Sequence, residues 1–154
     1  MVSTKKIRIG VVGYSRIQFN HKLASQLIES SIAQALSTFS KGPWDCELVS
    51  GWTNMGVPKL AYEIARELGM KTVGISAARA HKVRSGLFPV DESFTIGHKF
   101  GDESDFFIDY IDVLIRIGGG AQSRRECQLF KDKNQHKDQQ SSLIIEQELE
   151  WLGP

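Results

Sequence analysis

The sequence contains little cysteine and little proline. Only 2 of its 154 residues are cysteine, and only 4 are proline. Two cysteines are too few for a small domain that depends on disulfides, and the separation of Cys46 from Cys127 matches no metal-binding spacing. We therefore expect both thiols to be buried core residues of a protein in a reducing compartment, with the cytoplasm as its location.

The sequence also lacks a long apolar run and an excess of charge of either sign. No uninterrupted apolar segment approaches the roughly 18 residues that a membrane-crossing helix needs. The 19 basic and 18 acidic residues leave a net charge of +1. Because no overall field then attracts nucleic acid or an anionic membrane, we expect neither as a partner, and any anion site must be local. The early apolar stretch at residues 7–13 contains Arg8, which favours a first strand over a signal peptide.

What the sequence does contain fits one globular domain over residues 1–154. A domain commonly has about 150 residues, and a chain of this size can bury an independent core. The hydrophobic fraction of 41% and the charged fraction of 24% are ordinary for a globular protein. This composition excludes a disordered tail and a collagen-like repeat.

Short apolar runs alternate with amphipathic stretches along the chain. The runs predict strands, and apolar residues at three- and four-residue steps predict helices. The predicted strands cover residues 7–12, 47–50, 71–76, 93–96, 112–117 and 143–149, and the predicted helices cover residues 21–38, 57–68, 102–110 and 122–131, the third of them capped by Asp102. The last stretch fits either type, and we favour a strand because the order then alternates. The alternation predicts an α/β protein, a Rossmann-like three-layer sandwich with a mostly parallel sheet and helices on both faces.

A glycine-containing turn directly follows three of the predicted strands. We call residues 13–16, 51–56 and 118–123 the first, second and third glycine turns. In a parallel sheet such turns lie at the carboxyl ends of the strands, the edge at which open α/β proteins bind ligands. Glycine lets backbone amides approach a ligand closely, and the helix that follows offers unpaired N–H groups and a positive dipole end. These features predict a phosphate ligand.

The candidate ligand-binding residues are the glycines, the short polar side chains and two arginines of these turns. They are Gly13, Ser15, Arg16, Gly51, Thr53, Asn54, Gly56, Gly118, Gly119, Gly120, Gln122, Ser123 and Arg124. In a single turn of this kind, glycine is as readily explained by the steric needs of a strand-to-helix connection as by a ligand. Three such turns at one edge favour a ligand site. Cations are unfavourable at a helix N-terminus, so Arg124 indicates an anion or a partner carboxylate, with a solvated side chain as the alternative.

Three common phosphate-binding or catalytic motifs do not fit the sequence. The second glycine turn has the Walker A glycine spacing, but Val57 and Pro58 stand where that motif requires Lys and Ser or Thr. The first glycine turn lacks the spacing of a dinucleotide fingerprint, and Ile17 replaces the last glycine of a nucleophile elbow around Ser15. We therefore expect neither Walker-type ATP hydrolysis nor an α/β-hydrolase.

The third glycine turn resembles a family motif. Residues 118–126, Gly-Gly-Gly-Ala-Gln-Ser-Arg-Arg-Glu, are similar to the Pro-Gly-Gly-x-Gly-Thr-x-x-Glu signature of the LOG-type, lysine-decarboxylase-like Rossmannoid superfamily (SLOG). Gly119, Gly120 and Glu126 match outright, and Ser123 keeps the hydroxyl of Thr. Residues 48–75 resemble the superfamily's second glycine turn and the helix after it.

This superfamily includes cytokinin-activating phosphoribohydrolases, molybdenum-cofactor carrier proteins and DprA-like proteins. The resemblance implies a Rossmann-like fold, a crevice for a nucleotide phosphate and a homo-oligomer. It also identifies Glu126 as the candidate catalytic residue, which would bind a ribose hydroxyl or act as a general acid/base. The alternative role of Glu126 is favourable interaction with the helix dipole.

The sequence departs from the phosphoribohydrolases in one region. Those enzymes carry a Met-His-x-Arg-Lys stretch before the last glycine strand, and here residues 102–107, Asp-Glu-Ser-Asp-Phe-Phe, stand in its place, acidic and without Arg. A basic cluster lies earlier, at Arg79, His81, Lys82 and Arg84. We expect one or two of these cations to join the anion site, with an exposed loop as the alternative.

Three functions stay open at this point. The chain would bind a nucleotide or sugar phosphate, or hydrolyse the N-glycosidic bond of a nucleoside 5′-monophosphate, or use the edge as a protein-interaction or oligomer surface. Asp102, Glu103 and Asp105 could bind Mg²⁺, but an acid-rich helix N-terminus explains them more simply. We accordingly predict no metal site and no cofactor.

Overall fold

Six strands and four helices form the part of the chain that the computed structural model describes, residues 6–135 and 142–153. The strands are β1 (Ile7–Gly13), β2 (Cys46–Ser50), β3 (Lys71–Ser76), β4 (Glu92–Thr95), β5 (Val113–Ile117) and β6 (Leu143–Gln147), and the helices are α1 (His21–Phe39), α2 (Gly56–Leu68), α3 (Ser104–Tyr110) and α4 (Ala121–Asn134). Each element lies within a few residues of its predicted bounds, and the last one is the strand that we favoured. No helix in these two segments has the length and apolar content needed to span a bilayer.

All six strands pair in parallel in one sheet, in the order β4-β3-β2-β1-β5-β6. The chain first moves outward from β1 to β4 and then crosses to the other side of β1 to add β5 and β6. The direction of winding therefore reverses between β1 and β5. In open α/β sheets the crevice at this switch point is the usual ligand site.

The helices cover both faces of the sheet, which confirms the predicted three-layer α/β architecture. α1 and α2 pack on one face, against side chains such as Ile9 and Val11. α3 and α4 pack on the other, against side chains such as Val12 and Leu114. Because alternate residues of a strand point to opposite faces, a strand covered on both sides is apolar throughout, as β1 and β5 nearly are.

The start of α3 differs from the prediction. Its N-cap is Glu103, which makes no side-chain capping bond, and the predicted cap by Asp102 is wrong. The Asp102 carboxylate instead accepts hydrogen bonds from the amides of Lys99 and His98, both at 3.0 Å, and these bonds lower its pKa. Asp102 therefore stabilises the turn before α3, because its carboxylate accepts from the amides of that turn and not from those of the helix.

Both cysteines are buried and unpaired, as expected. Burial raises the pKa of the Cys46 and Cys127 thiols to about 11, which makes them poor nucleophiles at neutral pH.

Candidate functional site

The first and third glycine turns meet at the switch point of the sheet. Gly13 pairs with Ile117 across β1 and β5, and a Cβ atom on Gly13 would lie 2.4 Å from the Ile117 carbonyl oxygen. A Cβ atom on Gly119 would lie 3.2 Å from the Gly13 Cα atom and 2.7 Å from the Ser123 hydroxyl oxygen. Both approaches require glycine, so the two turns touch through their backbones.

The second glycine turn reaches the same rim through Gly56. This residue has a φ of +69°, and a Cβ atom on it would lie 2.4 Å from the Tyr14 carbonyl oxygen. The Val57 amide donates to that same oxygen at 2.8 Å. The three turns that the sequence singled out therefore share one rim.

Two amides of the second glycine turn, those of Trp52 and Asn54, are engaged within the protein. The Trp52 amide donates to the Tyr62 hydroxyl at 3.0 Å, and the Asn54 amide donates to the Gly86 carbonyl at 3.1 Å. This turn is thereby anchored to α2 and to the loop before β4. Gly51 and the side chains of Thr53 and Asn54 stay predicted ligand contacts.

The N-terminus of α4 is uncapped and accessible. Its N-cap is Gly120, and no side chain among the described residues caps it. The Arg124 amide bonds to the Gly120 carbonyl at 3.2 Å, and the amides of the N-terminal turn ahead of Arg124 have no intrahelical acceptor. Gly120 and Ala121 are exposed, and nothing lies within 4 Å of the position of a Gly120 Cβ atom. The positive end of α4 thus opens onto the rim, as an anion site requires.

Glu126 lies on the buried side of α4 and is 6% exposed. Its Oε2 atom accepts a hydrogen bond from the Ser104 hydroxyl at 3.2 Å. Burial raises the pKa of Glu126 to about 7, with a further contribution from the Glu103 carboxylate, while the Ser104 bond opposes the rise. Near neutral pH this carboxyl group therefore exists in both protonation states, as a proton donor or acceptor should.

Glu103 is a second buried carboxylate beside the third glycine turn. It is 6% exposed, and it accepts hydrogen bonds from the Gly101 amide at 3.0 Å and the Gln122 side-chain amide at 3.2 Å. The structure thereby gives Gln122, a predicted ligand contact, a protein partner. From the sequence, Glu103 had the same two interpretations as Asp102 and Asp105, an acid of a helix N-terminus or a Mg²⁺ ligand, because only its burial in the structure separates it from them.

The loop after β1 and the segment after β6 lie side by side at the rim. Ser15 and Arg16 are exposed on this loop. Beside them, the Tyr14 hydroxyl donates to the Leu149 carbonyl at 2.9 Å, and the Tyr14 ring centre is 4.9 Å from that of Trp151. The segment after β6 therefore covers one side of the first glycine turn.

Of the charged residues predicted at the site, Arg124 contacts a carboxylate of its own chain, with 3.3 Å between its Nη2 atom and the Oε2 atom of Glu148. From the basic cluster, His81 lies against the second glycine turn, because its ring centre is 5.0 Å from that of Trp52. The other three cations, at positions 79, 82 and 84, have exposed side chains. Trp52 itself has a φ of +73°, a conformation that favours glycine.

Two surface depressions lie away from this rim. Their volumes are about 250 and 370 Å³, and both border the C-terminal end of α4, at the opposite edge of the sheet. In the two described segments, no group of three or more His, Cys, Asp or Glu side chains is placed to hold a metal ion.

Comparison with other proteins adds evidence about the fold. No protein family model matches the chain, and no curated protein matches its sequence. Solved structures do match. The molybdenum cofactor carrier protein MCP from Chlamydomonas reinhardtii superposes with a TM-score of 0.66 at 18% identity, over 92% of this chain and 76% of that one. The molybdenum cofactor binding protein from Rippkaea orientalis gives a TM-score of 0.65 at 22% identity, over 95% and 80% of the two chains.

A third solved structure, that of the protein TM1055, gives a TM-score of 0.60 at 19% identity, over 83% of this chain and 70% of that one. At such identities the likeness concerns the fold alone. The fold that the resemblance implies is confirmed at that level: this chain has the same Rossmann-like α/β fold as these three solved structures.

Proposed function

We propose that the chain binds a nucleotide or a related phosphate ligand at the glycine-rich carboxyl edge of its sheet, with the phosphate at the third glycine turn. The observation that carries this proposal is the open, uncapped N-terminus of α4 at the switch point. Backbone amides and the helix dipole favour an anion at this place, and a phosphate can accept several N–H groups at once.

The names of the structural neighbours support a small-molecule ligand. One is described as binding the molybdenum cofactor and another as carrying it. Micromolar affinity needs about 8 kcal/mol, and a hydrogen bond to a charged group contributes roughly 1.5–3 kcal/mol. Association also costs the ligand its freedom of motion, so the proposal includes side chains at the rim beside the backbone amides, such as Ser123 and Arg16.

Substitutions of Gly120 test whether the phosphate lies at the N-terminus of α4. A side chain there meets no neighbouring atom and needs no unusual backbone angle, so Gly120→Asp and Gly120→Asn should both fold. Both residues are good N-caps and should leave the free energy of unfolding unchanged or raised by a few tenths of a kcal/mol. Only Asp places a negative charge where the phosphate would lie.

The measurement is calorimetric titration of the wild type and both variants with AMP and with ribose 5-phosphate. We expect Gly120→Asp to weaken binding about tenfold or more through repulsion between like charges, and Gly120→Asn to weaken it much less. Equal affinities in all three proteins would contradict the proposed position of the phosphate. The absence of binding by every probe would contradict the ligand class.

A second candidate function has one specific observation in its favour, the buried carboxyl group of Glu126. In a phosphoribohydrolase, water adds to C1′ of the ribose, the N-glycosidic bond breaks, and the leaving base takes a proton. Glu126 would donate that proton and then accept one from the water, a role that suits a pKa of about 7. The products are the free base and ribose 5-phosphate.

Chromatography of AMP incubated with the protein separates the two candidates. Release of adenine that is lost in Glu126→Gln, and kept in the exposed control Glu150→Gln, would support the hydrolase. Binding of AMP without release of adenine over hours would support the binding protein alone.

The third candidate, an interaction surface between copies of this chain or with another protein, has a separate readout. Size-exclusion chromatography with light scattering tests the homo-oligomer that the resemblance implies. If no probe binds and the protein elutes as a homo-oligomer, the interaction surface is the function that remains, whereas a monomer that binds no probe would contradict all three candidates.

A further inference from the structure

A buried arginine lies directly beneath the third glycine turn. Arg116 is the second-last residue of β5, and its side chain is only 3% exposed. Arginine is rarely buried to this degree without charged partners. Its Nη1 atom donates to the Gly118 carbonyl at 2.9 Å, which fixes the guanidinium group against the turn where we place the phosphate.

Two carboxylates of the last strand region pair with Arg116. Glu146, its register partner on β6, accepts from Nε at 3.2 Å, and Glu148 accepts from Nη2 at 2.6 Å. Glu148 also lies 3.3 Å from Arg124 at the start of α4. A single carboxylate therefore bridges two guanidinium groups.

The charges around this bridge remain positive overall. Lys131 pairs with Glu146 at 3.0 Å, so three cations face two carboxylates in this cluster. Without Glu148, three cations would face one carboxylate. The cluster can therefore accept an external anion in place of Glu148.

Glu148 is the exchangeable member of the cluster. Its side chain is 73% exposed, and it lies just beyond the end of β6. Its neighbour Leu149 is buried and anchored through its carbonyl to Tyr14, so the Glu148 side chain can leave without moving the backbone of the segment. The Arg116 guanidinium, and then that of Arg124, lowers the pKa of Glu148.

We propose that Arg116 and Arg124 form a second anion subsite beside the third glycine turn, that Glu148 occupies it in the free protein, and that a second anionic group of the ligand displaces Glu148. This inference rests on the proposed function, because the first phosphate lies at the N-terminus of α4. A ligand with two adjacent anionic groups, such as a nucleoside diphosphate, is then preferred to a monophosphate. Guanidinium groups suit this task because they bind phosphate oxygens in pairs.

The experiment compares ADP, AMP and inorganic pyrophosphate as probes, by calorimetry, on the wild type, Glu148→Gln and the control Glu150→Gln. The control makes the same charge change two residues away, at another exposed glutamate. We expect Glu148→Gln to bind ADP and pyrophosphate about fivefold more tightly, because the ligand no longer competes with the bridge. AMP affinity should change by less than about twofold, and adding Arg124→Gln should cancel the gain for ADP.

A spectroscopic readout follows the bridge itself. The side-chain carboxyl resonance of Glu148 reports its pKa, which should rise toward the ordinary value when pyrophosphate binds and the bridge is broken. Identical behaviour of Glu148→Gln and Glu150→Gln, with an unchanged Glu148 pKa on binding, would overturn the subsite.

The two proposals fail in different ways. If AMP binds the wild type and Gly120→Asp loses it, but Glu148→Gln equals its control, the subsite is wrong and the proposed function stands. If AMP binds no variant while pyrophosphate binds Glu148→Gln more tightly than its control, the subsite stands without the nucleotide. If no probe binds any variant, both are wrong.

Discussion

The second and third glycine turns differ in what their backbone amides contact. In the second, the amides of Trp52 and Asn54 bond to other parts of the chain, and the next helix starts with an amide bonded to Tyr14. In the third, the helix starts at an exposed glycine, Gly120; neither helix has a capping side chain among the described residues. Both turns follow buried parallel strands and look alike in sequence.

This difference shows that glycine after a strand serves two separate purposes. Gly56 allows the second glycine turn to pack against the backbone of the first, which is a structural use. Gly120 keeps the space above α4 free, although its own geometry would tolerate a side chain. Gly51 has an equally open Cβ position, and Gly120 differs from it in lying at the exposed N-terminus of a helix.

The largest effect is expected at Gly56. In Gly56→Ala, a methyl group would approach the Tyr14 carbonyl to 2.4 Å at a φ of +69°, and the free energy of unfolding should fall by about 3–4 kcal/mol. Gly51→Ala is the matched control, since its Cβ position is open, and it should cost less than about 0.5 kcal/mol. Urea denaturation measures both. A Gly56→Ala variant as stable as the control would break the contrast between the turns.

On the α4 side, Glu126 should make stability depend on pH. Its pKa is raised from 4.5 to about 7 in the folded chain, so the folded state binds more protons than the unfolded state between these values. The contribution of Glu126 to the free energy of unfolding is therefore fully present below about pH 4.5, and about 3 kcal/mol of it is lost as the pH rises to 7. Glu126→Gln should lack this loss. Urea denaturation of both proteins at pH 5 and at pH 7 measures the change in the free energy of unfolding with pH. An equal change in the wild type and in Glu126→Gln would rule out the raised pKa.

Tyr62 tests how firmly the second glycine turn is anchored. Its buried hydroxyl donates to the Val73 carbonyl and accepts from the Trp52 amide, both at 3.0 Å. Tyr62→Phe should lower the free energy of unfolding by about 2 kcal/mol, because buried polar groups lose their partner. Tyr14→Phe, at a half-buried hydroxyl with one bond, should cost about 1 kcal/mol. The reverse order would mean that the first glycine turn is the better anchored one.

The smallest change in stability is expected at Ser123, in the third glycine turn. Its hydroxyl lies 3.5 Å from the Gly13 carbonyl, the limit of a hydrogen bond, so Ser123→Ala should cost less than about 0.5 kcal/mol of stability. Its effect on AMP affinity should be larger, about fivefold, if the hydroxyl contacts the phosphate. A loss of stability without a loss of affinity would assign Ser123 to the fold.

Hydrophobic patterning was enough to predict the fold. The apolar runs of β1 and β5 and the stripes of α1 and α2 place these elements within two residues of their bounds, because burial on one or both faces imposes the pattern directly. The choice of a strand for the last element followed from the alternation of strands and helices. The start of α3 was missed because a short polar side chain can close a turn as well as cap a helix.

The candidate site was predicted only in part. Its glycine turns follow from the sequence, since a parallel sheet brings the carboxyl ends of its strands to one edge. Glu148 could not be assigned, because its bridge joins residues more than twenty positions apart in the chain. Arg116 could have been noticed, because it is a single charged residue in an otherwise apolar strand. A buried charge of this kind requires a partner of opposite charge.

The most direct test of the account is a titration of the ¹⁵N-labelled protein with AMP, followed by amide resonances in NMR spectra. We predict that the amides of residues 119–123 shift first and furthest, while those of Trp52 and Asn54, which are already bonded, shift little. Shifts concentrated in the second glycine turn, or at the far end of α4, would contradict the claim that the open N-terminus of α4 binds the phosphate.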